Sequence, residues 1–324
     1  MTLANETHDV AVLDPDTYRA HHIHTDESRI WSETNCYVDL WIEILHASGY
    51  DPVPSLMSTL SADHDGQQWT FIKPEQADLR TVYGVEVTEE ALWRPILDTV
   101  EAGPGRGLLH TVEVDSWWLP DTAGSDYRTA HVKTTIVPLS VDRDARRMTY
   151  LHNAGAHRLV DDDFDGVFGI GPHDELVLPP YVEQIRFAPE RARPDRAVEL
   201  VAAHLRRRPV GNPIDRLSDS VHAATAWLPN AGLETFHRWA FTTLRQCGST
   251  AELASDLVVW LDRFGVNGAA AAREPLLEVA SGAKTVQFAM ARAARGRSVD
   301  PSATLIAMAS AWAGALDTVA DALR

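Results

Sequence analysis

Glu33-Thr34-Asn35-Cys36-Tyr37-Val38-Asp39-Leu40-Trp41-Ile42-Glu43-Ile44-Leu45-His46 is the stretch whose reading decides the fold. Its polar opening gives way to an apolar run, which predicts a buried helix from about Asn35 to Ser48, stopped at Gly49. Thr34 or Asn35 suits the cap, because a short oxygen-bearing side chain accepts hydrogen bonds from first-turn amides. Either choice puts Cys36 in the first turn. Unpaired amides and the positive end of the helix dipole favour a thiolate there. The competing reading is a buried cysteine serving as a small hydrophobe. The two readings part on whether a base and an orienting group arrive later in the chain.

The 324 residues, 45% of them hydrophobic, suffice for one large core or two domains. A formal charge of -17 argues against nucleic acid or an anionic membrane as partner. The 2 cysteines, Cys36 and Cys247, make no disulfide framework. No apolar run reads as a membrane span and no export pattern opens the chain, so the expected location is cytoplasmic, with reduced thiols.

Beyond Gly49 the pattern predicts helices at 75–82 and 88–102. Strands follow at Leu108 to Val114, His131 to Val137 and Met148 to His152, with another within 176–187. Asp161, Asp162, Asp163 and Asp165 surround Phe164 in an expected acidic loop that lacks the glycine and glutamate of a calcium site. Histidines 21, 22 and 24, and histidines 152, 157 and 173, match no zinc spacing, so no metal is expected. A Pro- and Arg-rich stretch near 188–196 divides the chain into 1–190 and a helical 191–324. Helices are predicted at about 196–207, 214–227, 231–246, 250–263, 269–295 and 301–323.

His131 opens one predicted strand and Asn153 closes the next. A hairpin centred on Asp142 would set them opposite each other, with side chains about 5 Å apart on one face. Asn153 would then hold one imidazole nitrogen and leave the other for the Cys36 sulfur. Cysteine attacks, histidine moves the proton, and the third residue fixes the ring. The expected catalytic set is Cys36, His131 and Asn153. The oxyanion candidates are Gln67, Gln68 and Asn35, beside the Cys36 amide. Trp69, Asp115, Trp117, Trp118, Asp121 and Tyr127 are the expected substrate-binding residues, the aromatics shaping a dry cleft.

The pieces Glu33 to Trp41, Gln68-Trp69-Thr70-Phe71, Val114 to Thr122 and His131-Val132-Lys133-Thr134-Thr135 resemble an uncharacterised bacterial family encoded near amino-acid and carrier-protein genes. That family is more distantly similar to the butirosin-biosynthesis aminoacyl transferases, which are papain-like. The resemblance implies an α+β, papain-like catalytic domain over 1–190, with the helical domain as an addition. It implies transfer of an acyl or aminoacyl group from the phosphopantetheine thioester of a carrier protein onto an amine, through an acyl-enzyme on Cys36. No bound cofactor is implied. Those relatives usually carry Asp where this chain has Asn153, which makes Asp142 and Asp115 rivals for orienting His131.

Two other functions compete: hydrolysis by the same residues, as a peptidase, amidase or thioesterase, and non-enzymatic carrier binding. Arg206, Arg207 and Arg208 form a basic run suited to docking an acidic carrier protein, or simply to ending a helix. The sequence leaves the oligomeric state open.

Overall fold

The computed structural model describes residues 13–171 and 179–324, so His173 and part of the strand expected at 176–187 lie outside the described residues. The chain forms two compact units. The first comprises Met1–Thr25, Cys36–Pro52 and Gln76–Asp195; the second comprises Asp26–Asn35, Val53–Glu75 and Arg196–Arg324.

The first unit is α+β. Its helices are α1 (His22–Thr25), α2 (Cys36–Ala47), α3 (Gln76–Asp78), α4 (Ile96–Ala102) and α5 (Asp161–Phe168). Its strands are β1 (Val85–Glu89), β2 (Leu108–Asp115), β3 (Lys133–Asp142), β4 (Arg147–His152), β5 (Gly155–Val160) and β6 (Val182–Phe187). They form one sheet in the order β1-β6-β2-β3-β4-β5, each neighbour antiparallel. Helix α2 packs on β3 and β4, and Gly49 follows it at φ 81°, where a side chain would be strained. Alternate residues of the strands, among them Val112, Val114, Ile136, Met148 and Tyr150, share a core with Ile96 and Val100 of α4 and Phe164 of α5.

Two expectations fail here for local reasons. The helix expected at 88–102 begins only at Ile96; the β-branched Val85 and Val87 enter strand β1 instead. The acidic loop at 161–165 is the first turn of α5, where Asp161, Asp162 and Asp163 complement the dipole and Phe164, Val167 and Phe168 face inward at helical spacing.

The register between β3 and β4 decides which side chains meet. Near the hairpin, Asp142 faces Arg147 and Val141 faces Met148. A bulge between Pro138 and Ser140 then shifts the pairing, so that Val137 faces Leu151 and Ile136 faces His152. Pro138, with no N–H for the ladder, is tolerated at such an irregularity. Without the extra residue Val137 would face His152, and Thr134 and Ile136 would turn to the other side of the sheet. The expected hairpin centred on Asp142, with His131 opposite Asn153, is therefore not formed.

The second unit is helical: α6 (Ala197–Arg206), α7 (Pro213–Ala240), α8 (Gln246–Arg263), α9 (Arg273–Ala293) and α10 (Ser302–Ala322). The two helices expected at 214–227 and 231–246 run together in α7, broken by Gly232 at φ 80° with Pro229 just before it. A 3-10 helix, Val53–Ser61, packs against α6 and α8. Contrary to expectation, α10 is long and apolar enough to cross a membrane by length and composition. Leu305, Met308, Trp312, Leu316 and Val319 on it are buried, as in a core helix.

Candidate functional site

Cys36 is the first residue of α2 and is partly buried. Burial is the largest influence on its thiol and pushes it above its ordinary pKa, and the Asp39 carboxylate adds to this. The Thr134 hydroxyl, the Lys133 ammonium and the cysteine's own backbone N–H pull the other way without prevailing. The helix start therefore does not deliver a resting thiolate. Asp39, in the same first turn, bears on the sulfur.

Thr134, the second residue of β3, continues the connection. Its Oγ1 lies 2.7 Å from Nε2 of His152, the last residue of β4. The pair is a diagonal cross-strand contact on one face, since Ile136 stands directly opposite His152. On the other side of the ring, Nδ1 lies 2.5 Å from Asp121 Oδ2. Asp121 sits in the one-turn helix Pro120–Thr122, and its second oxygen accepts the Tyr150 hydroxyl. Burial works against the Asp121 charge, but His152, His157 and the Tyr150 hydroxyl outweigh it and hold the carboxyl below its usual range. An ionised Asp121 accepts a hydrogen bond from Nδ1–H, which leaves Nε2 to accept from the Thr134 hydroxyl. The Thr134 hydroxyl thus bears on the sulfur and is bonded to the imidazole, which is bonded in turn to the carboxylate.

His131 lies before β3 and is 69% exposed in its side chain. Its Nδ1 is 2.5 Å from Asp115 Oδ2, and its ring stacks on Trp117 with centroids 4.5 Å apart. Asp115, one of the two rivals, is therefore its orienting group. Asp142 instead accepts from the Ala145 amide and Arg147. Asn153 occupies the turn after β4 at φ 46°, a left-handed position that asparagine tolerates better than most residues. It does not orient His131. The sequence signal overlooked was the neighbouring His152, whose meeting with Thr134 depends on the bulge.

The remaining expected residues also have defined places. Asn35 donates both carboxamide hydrogens, to Ile72 O at 3.1 Å and Gln246 Oε1 at 3.2 Å, which leaves none for an oxyanion. Gln67 and Gln68 are exposed in the second unit, and their amides donate to Asp65. Trp69 is buried in that unit, bonded to Thr250 and in edge contact with Trp312, so it is core and not cleft. Tyr127 donates to Asp163, and Arg128 lies over the Trp118 ring while pairing with Asp163. These residues pin the loop that carries Asp121; they are committed to one another. Arg207 pairs with Glu75 and Arg208 with Asp317, so the basic run is not a free docking patch.

Beneath α2 lies a second polar cluster. His24 Nδ1 is 2.5 Å from Glu43 Oε1 and its Nε2 is 3.5 Å from Asp39 Oδ1. Tyr18 also donates to Glu43. Burial opposes a charged His24, but the two carboxylates prevail and its pKa is pushed up to about 9. The resulting cation faces Asp39, whose charge bears on Cys36.

No curated protein matches the chain. The DUF1839 N-terminal domain matches residues 19–187 and the DUF1839 C-terminal domain residues 190–321. Together they cover nearly the whole sequence, and the chain belongs to the DUF1839 family.

Proposed function

We propose that the chain is a cysteine-dependent acyltransferase of papain-like design, with Cys36 as nucleophile, His152 as base and Asp121 as its orienting group. The observation that carries this reading is the series from the Cys36 sulfur through Thr134 and His152 to Asp121. A structural thiol would not call for a base oriented by a buried carboxylate.

The raised thiol pKa sets the order of events. As sulfur attacks the donor thioester, its proton passes to Thr134 Oγ1, and the Thr134 proton passes to His152 Nε2. Asp121 stabilises the imidazolium that forms. The Cys36 N–H opens a helix, has no intrahelical partner, and supplies a donor for the oxyanion. Collapse breaks the donor's C–S bond, and the leaving thiolate takes the proton from His152. An amine then attacks the Cys36 thioester and releases the amide. The donor in this proposal is an acyl or aminoacyl group on the phosphopantetheine arm of a carrier protein, so the arm arrives with the substrate.

Intact-mass measurement after mixing with an acetyl-N-acetylcysteamine or acyl-carrier thioester tests the reading. One acyl adduct per chain is expected, absent in Cys36→Ala and formed about 10²–10⁴-fold more slowly in His152→Gln. An adduct that persists in Cys36→Ala, or no adduct with any donor, defeats it. Free acid as the sole product in the presence of amines would make the protein a hydrolase using the same residues.

A further inference from the structure

The first unit holds a second carboxylate–imidazole pair that the series above does not use. We propose that Asp115 and His131 form an acid–base pair for the acceptor, with His131 Nε2 taking the proton of the attacking amine. This rests on Cys36 carrying the acyl group.

The pair is tied to the same strand ends as the nucleophile's partner. Val114 faces Thr134 and Asp115 faces Lys133, and the Ser116 amide donates to Val132 O at 2.9 Å. His131 and Thr134 are three positions apart, so their Cα atoms are at most about 10 Å apart. Lys133, two positions after His131 and opposite Asp115, bears on the Cys36 sulfur, which ties this strand end to the nucleophile. The ring is held at Nδ1 and on one face, and its two holders are bonded to each other. Asp115 Oδ2 holds Nδ1, Asp115 Oδ1 accepts the Trp117 amide at 3.0 Å, and the Trp117 ring lies parallel to the imidazole at 8°. A carboxylate–imidazole contact this exposed adds little stability. The ordering of this ring leaves one directed nitrogen, Nε2, at the surface.

In the step assigned to it, the amine nitrogen attacks the acyl carbon and the C–N bond forms. The nitrogen's proton goes to His131 Nε2 and then to solvent. The C–S bond breaks, Cys36 leaves as thiolate, and the sulfur regains a proton from solvent through His152 and Thr134. Two imidazoles thus divide the reaction, one for the sulfur and one for the acceptor.

The test uses the full chain with acetyl-N-acetylcysteamine as donor and glycinamide as acceptor. Acyl-enzyme is followed by intact mass, and N-acetylglycinamide is measured against acetate. In His131→Gln, acyl-enzyme still forms and accumulates, amide formation falls about 10²-fold, and the amide-to-acetate ratio falls with it. Asp115→Asn moves the ratio in the same direction. An unchanged ratio in His131→Gln, with normal acyl-enzyme formation, overturns the role of His131 and leaves the Cys36 reading standing. Absence of acyl-enzyme in the unaltered protein removes both.

Discussion

Thr134 stands between sulfur and imidazole with one proton to give and two lone pairs to offer. That is what a relay needs, and a methyl group of the same size cannot do it. Thr134→Val should slow acyl-enzyme formation roughly 10²-fold, and Thr134→Ser, which keeps the hydroxyl, should restore most of it. Rates of adduct formation by intact mass decide this; a valine variant that acylates normally would mean that sulfur and imidazole meet directly. Cys36 was legible in the sequence because caps and apolar runs are local signals. Asp121 was read only as a substrate-binding residue and His152 not as a base, because their meeting depends on strand register and on a loop 31 residues away along the chain. The imidazole at 131 was read as the base for the sulfur, and its partner Asp115 as a rival to Asn153 and as a substrate-binding residue.

At the scale of elements, the bulge at Leu139 does what no residue pattern announces. It brings Thr134 to the His152 side of the sheet. Strands and their approximate bounds could be read from β-branched residues; the phase between them could not. The contact between α1 and α2 carries a pH dependence that the sequence also concealed. His24 has a folded pKa of about 9 against an ordinary 6.5, held up by Glu43 and Asp39 against the cost of burial. A raised folded pKa stabilises fully below the unfolded value and is lost as pH rises through the folded one. Stability should therefore decline between about pH 6.5 and 9, by on the order of 3 kcal/mol for this group. Denaturant titrations at pH 6 and pH 9.5 measure it. His24→Gln should be less stable at pH 6 and show a flatter decline across the window; an unchanged slope would place the sensitivity elsewhere.

For the whole molecule, the divisions by sequence and by compactness do not coincide. The two family matches meet between residues 187 and 190, near the composition change read at 190. The second compact unit nevertheless includes Asp26–Asn35 and Val53–Glu75 from far upstream. These segments are bound into it by specific contacts. Glu252 accepts the Ile30 and Trp31 amides at 2.8 Å each, and the Trp31 indole donates to Ala280 O at 3.1 Å. Gly248 has no room for a Cβ, which would lie 2.4 Å from the Trp31 indole nitrogen. Trp69 meets Trp312 edge-on, and Val53–Ser61 packs on α8. A fragment of residues 191–324 would lose all of these and leave Glu252 buried without its donors. Burying side chains such as Trp31, Leu56, Met57, Leu60 and Trp69 contributes about 1.5–3 kcal/mol each, so their joint loss rivals the roughly 5–15 kcal/mol that holds a domain together. Such a fragment should show no cooperative thermal transition by circular dichroism, whereas the full chain should show one. A cooperative melt in the isolated fragment would mean that the upstream segments dress a unit already stable without them.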